Sequence, residues 1–311
     1  MITIEKPGMQ MSIQDQGRTG SRHLGVSQAG CLDPVAQIVA NRLVGNPDNN
    51  PVIEITFGLA EIAFNNDYLI ALHGTDMQAS IDGHAIRPGW CCYIKKGQRL
   101  TLAAARHGFR SYLAIAGNWQ LTQVLGSYAT DLAAGFGGLS GAALQAGDEI
   151  NITPHYDATV GLGAMLPAKR TQIRVHPGPH NHLLNNDQLE QFTGHSWQVT
   201  NKSNRMGLRL ASNECTLSHE LSLPSLAVMP GSIQLPPNGE PIVLLNDAQT
   251  TGGYPLLGTV IDADLRHFAQ LKPSDFINFE FVSIAAANAA ADKTQAHLNQ
   301  LQIALNYKNK A

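Results

Sequence analysis

The chain has 311 residues, 43% hydrophobic and only 14% charged, with a formal net charge of −3. That length exceeds one ordinary core and suggests two domains. With no Lys/Arg stripe and a slight negative charge, nucleic acids and anionic membranes are not expected partners. The opening residues, MITIEK, lack a basic segment followed by an apolar run, and no apolar stretch reaches spanning length. The sequence therefore reads as cytoplasmic, without signal peptide or membrane helix. The cysteines, Cys31, Cys91, Cys92 and Cys215, form no CxxC spacing, so buried reduced thiols are expected. In a strand, Cys91 and Cys92 would point to opposite faces.

Along the chain, Asp33 is placed to cap a helix opening at Pro34, with Val35, Ile38, Val39 and Leu43 on one face and Gly45 as its stop. Strands are expected over 68–72, 111–116, 172–175 and 233–235, and a buried strand over 242–245. A turn followed by apolar/polar alternation recurs at 96–102, 146–152 and, more loosely, 273–279. Asn185 or Asn186 can cap a short helix holding Leu189 and Phe192 and ended by Gly194. Asp262 or Asp264 can start another, with Leu265, Phe268 and Leu271 inward and Pro273 as terminator. An alanine-rich helix is expected over 285–307, striped by Leu298, Leu301 and Leu305. Short strands with few helices between them predict a mainly β fold of antiparallel barrels or sandwiches. The aperiodic stretch 154–169 reads as a linker, giving an N-terminal β-rich subdomain over 1–158, a second over 170–284 and a tail helix over 285–311.

Three segments concentrate chemistry. The loop 15–27 holds Asp15, Arg18, Arg22 and His23 between glycines. Arg18 and Arg22 suit a carboxylate or phosphate gripped by paired hydrogen bonds. Asp15 suits a base or an orienter of arginine, and an internal Asp–Arg brace is the alternative. In Ser203-Asn204-Arg205-Met206-Gly207-Leu208-Arg209-Leu210, Arg209 lies between two leucines and should face solvent, while Arg205 is the better anion ligand. The buried strand at 242–245 runs into Asn246, Asp247, Ala248, Gln249, Thr250, Thr251, Gly252, Gly253 and Tyr254. A polar cluster at the end of a buried strand is one way folds present a site; a long polar loop with a Gly-Gly hinge is the alternative. His176, His180 and His182 are stiffened by Pro177 and Pro179 and read as a rigid turn rather than a metal site. The glycine-rich 135–141 matches no phosphate-loop or dinucleotide pattern, and Ser140 no nucleophile elbow.

Taken in order, DQGRTGSRHLGVSQAGCLD (15–33), NRLVGN (41–46), IEIT (53–56), RSYLAIAG (110–117), SNRMGLRL (203–210) and NDAQTTGGYP (246–255) resemble the biotin-dependent carboxyltransferase A/B-subdomain family, also called the allophanate hydrolase subunit 2 family. The likeness is strongest to its stand-alone bacterial branch. It implies two β-barrel-like subdomains, the second cyclophilin-like, and a complex with the KipI-like B subunit of 5-oxoprolinase together with its A subunit. That complex would convert 5-oxo-L-proline to glutamate with ATP (as Mg-ATP), bound by a partner or jointly with it, after phosphorylation of the lactam. In the Ala-Met of 164–165 the next residue is Leu166 rather than lysine, so no covalent biotin is expected. In that chemistry Asp247 and Asp15 are candidate catalytic groups, and no metal ligand is expected. Arg18, Arg22 and Arg205 would supply cations, and Asn204, Asn246 and Gln249 amide recognition. Thr250, Thr251, Gly252, Gly253 and Tyr254 would supply phosphate and substrate contacts. A KipA-like protein that binds and antagonises a kinase inhibitor, and a carboxyltransferase module acting on urea, are the alternatives.

Overall fold

The computed structural model describes residues 1–155, 161–165, 168, 170–213, 215, 217, 219, 221 and 223–308. Part of the expected linker, including Leu166, lies outside the described residues. The chain folds as two compact units. The first comprises Met1–Arg18, Ala29–Ala168 and Ala296–Ala311; the second comprises Thr19–Gln28 and Lys169–Gln295. Two segments thus depart from a division at a single linker. Residues 19–28 pack with the second unit, where Arg22 Nη2 donates to the Val228 carbonyl (2.7 Å). The end of the tail helix packs with the first.

The first unit stacks two antiparallel sheets. One runs Glu149–Ile150, Ile2–Lys6, Ala60–Phe64, Arg99–Leu102, Ser80–Ile81, His84–Ala85; the other runs Gln10–Gln14, Val52–Thr56, Arg110–Ile115, Tyr68–Gly74, Cys91–Ile94. Strand alternation sends Ile2, Ile4, Ile62 and Leu100 from the first sheet, and Met11, Ile13, Ile53, Ile70 and Leu113 from the second, into one shared core. The other face of the second sheet offers Leu69, Ala71, Tyr112 and Ala114 to the helix Pro34–Leu43. That helix starts as its sequence dictates, with Asp33 Oδ1 accepting from the Ala36 N–H (2.9 Å) and proline in the first turn. Its buried face is Ala36, Val39, Ala40 and Leu43, while Val35 and Ile38 are only partly covered. Cys91 joins the helix-side cluster and Cys92 packs on the inter-sheet core, the opposite faces that alternation requires. None of the four cysteines is in a disulfide, and burial pushes the Cys92 thiol up to about 11.

The second unit contains a closed seven-stranded barrel in the order Gln172–Pro177, Leu256–Val260, Ser232–Gln234, Ile242–Leu244, Gly207–Ala211, Trp197–Val199, Phe276–Phe281. The first and last strands close it as a parallel pair; its other pairs are antiparallel. The mainly β class holds, with the barrel in this unit and two packed sheets in the other. The helix Asn186–Gly194 opens on a capping box between Asn185 and Gln188. It lays Phe192 on Phe279, their rings stacked at 4.7 Å. The helix Asp262–Phe268 has no side-chain cap. Asp264 is instead drawn to Arg174, accepting its Nη2 (2.6 Å) and Nε (3.0 Å). The tail helix spans Ile284–Lys308; its Leu298 and Leu305 are buried in the first unit's helix-side cluster, where Arg42 Nη1 donates to the Leu298 carbonyl (2.5 Å). No helix among the described residues is long and apolar enough to cross a membrane.

Candidate functional site

The second unit carries a cleft of about 750 Å³ on the outer face of its barrel. Pairing register explains its floor. Leu208 faces Val243, and Val243 faces Ile233; these three are buried. Their neighbours one step along must point the other way. Arg209 lies opposite Ile242, and Ile242 opposite Gln234. Thr200 extends this row, because its N–H donates to the Arg209 carbonyl (2.9 Å). All four residues line the cleft, in the order Thr200, Arg209, Ile242, Gln234. Three strand spacings separate the ends, about 14 Å. Gly207, which lies opposite Leu244, lines the cleft beside this row.

The rim is polar and exposed: Lys202, Asn204 and Glu240 on one set of loops, Gln249 and Tyr254 on another. Arg209 and Lys202 bring positive charge to the Thr200 end. Arg209 faces solvent as its place between two leucines requires, yet that outward face is the cleft. Two polar atoms of the lining, Thr200 Oγ1 and Gln234 Nε2, are buried without a hydrogen-bond partner. A buried polar group without a partner is rare and costly, so each has hydrogen-bonding capacity left over for a group that reaches it.

Of the residues expected from sequence, Asn204, Gln249 and Tyr254 line this cleft. Arg205 and Asp247 do not reach it; they are buried against each other, Nε to Oδ2 at 2.8 Å and Nη2 to Oδ1 at 2.9 Å. The Asp247 N–H also donates to the Arg205 carbonyl (3.1 Å), and the Leu245 N–H to that of Met206 (3.0 Å). The pair therefore staples the loop bearing Asn204 to the loop bearing Gln249. The expected catalytic role of Asp247 and anion-binding role of Arg205 thus fall on two side chains that are hydrogen-bonded to each other in the fold. Thr251 and Gly252 form a two-residue strand against Leu226–Ala227, and the Val228 N–H donates to the Thr250 carbonyl (2.9 Å). The backbone of 250–252 is thus built into a ladder rather than an open phosphate cradle. Gly253 follows it, where an added β-carbon would lie 3.1 Å from the Leu223 carbonyl oxygen, and Asn246 sits half-buried in the turn after the barrel strand.

Arg22 reaches the back of the same loop, donating from Nη2 to the carbonyls of Val228 (2.7 Å) and Gln249 (3.2 Å). Its Nη1 is buried without a partner, and burial lowers its pKa. Arg18 and Asp15 belong to the first unit and brace its own loops. Arg18 is 1% exposed, donates to the carbonyls of Val124 (3.1 Å) and Ala129, and lies 4.6 Å over the Phe136 ring. A side chain at Gly137, whose φ is +76°, would collide with that guanidinium. Asp15 accepts from Ser127 Oγ (2.6 Å), Tyr128 N (2.7 Å) and Gly17 N (2.8 Å), so it is neither a free base nor the orienter of an arginine. Among the three histidines singled out, His180 Nδ1 accepts the Leu256 N–H (3.0 Å) and fixes a turn.

Comparison with known proteins completes the description. The model of the carboxyltransferase domain, subdomains A and B, matches residues 24–281. The chain is 40% identical to the C subunit of 5-oxoprolinase from Escherichia coli, over 99% of its own length and 100% of the relative's. It is 34% identical to the Haemophilus influenzae protein of the same name, with the same coverage. The Kluyveromyces lactis urea carboxylase structure superposes with a TM-score of 0.88 at 27% identity; the match covers 96% of this chain but 29% of that one.

Proposed function

The chain belongs to the carboxyltransferase subdomain A and B family, and we propose that it is the subunit of an ATP-dependent 5-oxoprolinase that holds the lactam substrate. The full-length identity of 40% to the C subunit of a 5-oxoprolinase carries this reading, because it spans both units and the cleft. In the proposed reaction the complex is completed by the KipI-like B subunit plus an A subunit, and ATP is a co-substrate. An amide carbon is a poor electrophile at neutral pH. Transfer of the γ-phosphoryl group to the lactam oxygen makes that carbon reactive. Water then adds, the ring C–N bond breaks, and the nitrogen keeps its electron pair to become the amino group of glutamate. A second water releases phosphate.

The residues of this chain suit the binding share of that work. Lys202 and Arg209 are the cleft's cations and can take the substrate carboxylate. Asn204, Gln249 and Tyr254 offer hydrogen bonds at the rim. The Arg205–Asp247 staple fixes the two loops that carry Asn204 and Gln249, a positioning role. The reading is tested by co-expressing the chain with its candidate A and B partners and measuring ATP hydrolysis with and without 5-oxoproline. Stimulation by the lactam supports it; a flat response with an assembled complex rejects it. The urea carboxylase likeness favours a second reading, carboxyl transfer to a urea-like amide, which requires a biotin carrier and would be blocked by avidin.

A further inference from the structure

We infer that Gln234 is a specificity-determining residue of the cleft, donating its side-chain N–H to the carbonyl oxygen of an amide ligand. The inference rests on the reading of this cleft as the substrate site, and nothing in the sequence marks the residue. Gln234 is 2% exposed, lines the cleft at one end of the cross-strand row, and leaves Nε2 without a hydrogen-bond partner. The amide has been given its place by the chain opposite. A β-carbon at Gly252 would lie 2.2 Å from Gln234 Nε2, so the amide packs directly against the glycine, and a side chain there would make the flexible end of Gln234 turn away. Gly252 is not held by a left-handed backbone, for its φ lies outside that region. Its lack of a side chain is therefore a matter of space at the amide.

Such a donor selects by what it lacks. An amide N–H with no protein acceptor is satisfied by a carbonyl oxygen and by nothing in an alkyl ring. Sites that must pair a buried polar group reject the analogue lacking its partner far more strongly than apolar sites reject a missing methylene. The terminal torsion of glutamine is soft, so the N–H turns toward the cleft without moving the strand. Two strands along the row from Gln234, the long, exposed Arg209 side chain is the cation within reach of the charged part of the same small ligand. Five-membered lactams and their open-chain amide relatives carry both features, a neutral carbonyl and a carboxylate.

The test uses the full-length chain, labelled with ¹⁵N and titrated with 5-oxo-L-proline, with urea, and with L-proline, which keeps the ring and carboxylate but lacks the ring carbonyl. The Gln234 side-chain signal is assigned by its absence from the Gln234→Leu spectrum. The expected result is a saturable shift of that signal with a carbonyl probe and none with proline, together with at least tenfold weaker binding in Gln234→Leu. Gly252→Ala, which displaces the amide without removing it, should weaken binding similarly while the thermal midpoint stays near wild type. Binding of urea but not 5-oxoproline at Gln234 would keep the inference and reject the lactam assignment. No shift with either carbonyl probe, or undiminished binding in both variants, overturns it.

Discussion

Replacing Asp247 by alanine removes the carboxylate that pairs with the Arg205 guanidinium in a site where the two side chains are 4% and 2% exposed. Two charge-assisted hydrogen bonds are lost, and each such bond contributes about 1.5–3 kcal/mol. Breaking a buried pair by removing one partner costs about 3–5 kcal/mol, so both estimates converge near 4. With a urea slope of about 2 kcal/mol per molar, the midpoint of the second unit should fall by about 2 M. Trp197, fully buried in that unit's barrel, reports the transition by fluorescence. The double replacement Arg205→Met/Asp247→Leu should recover most of the loss, because an apolar pair of similar volume leaves no uncompensated charge. A midpoint for Asp247→Ala within about 0.5 M of wild type would refute the staple. It would also return Asp247 to the candidate catalytic groups.

Other outcomes follow from the same geometry. His267 is held neutral by burial, with Arg266 adding to the effect, and its pKa falls to about 4. The unfolded state therefore binds more protons between about pH 4 and 6.5, so stability is full above that window and declines as pH falls through it, by at most about 1.4 kcal/mol per pH unit. His267→Gln should flatten that part of a Tm-against-pH curve; an unchanged slope would assign the decline elsewhere. Asp264, paired with Arg174, has a lowered pKa, and its contribution is lost only at still lower pH. Asp33→Ala removes the cap of the Pro34–Leu43 helix and should cost about 1 kcal/mol in the first unit, read by chemical denaturation. Arg209→Ala and Lys202→Ala should raise the KM for 5-oxoproline about tenfold each in the assembled complex, with unchanged thermal midpoints, because both are exposed. Unchanged KM values would remove the basic end of the cleft from substrate binding.

Local signals made two helix starts legible: Asp33 before Pro34, and Asn185 as one of two candidate caps, need only neighbouring residues. The outward direction of Arg209 was equally local, read from the two leucines beside it. What that face lines was not, because it depends on the pairing of Arg209 with Ile242 and of Ile242 with Gln234. Gln234 carried no signal, being one polar residue in a short strand. The loop 15–27 looked like an open anion site because its partners, Val124, Ala129, Phe136 and Gly137, lie more than a hundred residues away. Arg205 and Asp247 each stood out as polar loop residues, but 42 positions separate them, and only the barrel's register makes them satisfy each other.

The central claim is that this chain supplies the lactam-binding part of an ATP-driven ring-opening complex. The most direct measurement is glutamate formed per ADP released by the candidate A and B partners, with and without this chain. The account predicts a stoichiometry near one glutamate per ADP only when the chain is present, and loss of that coupling in Arg209→Ala at low substrate. Coupled turnover by the two partners alone, at an unchanged rate, would contradict it.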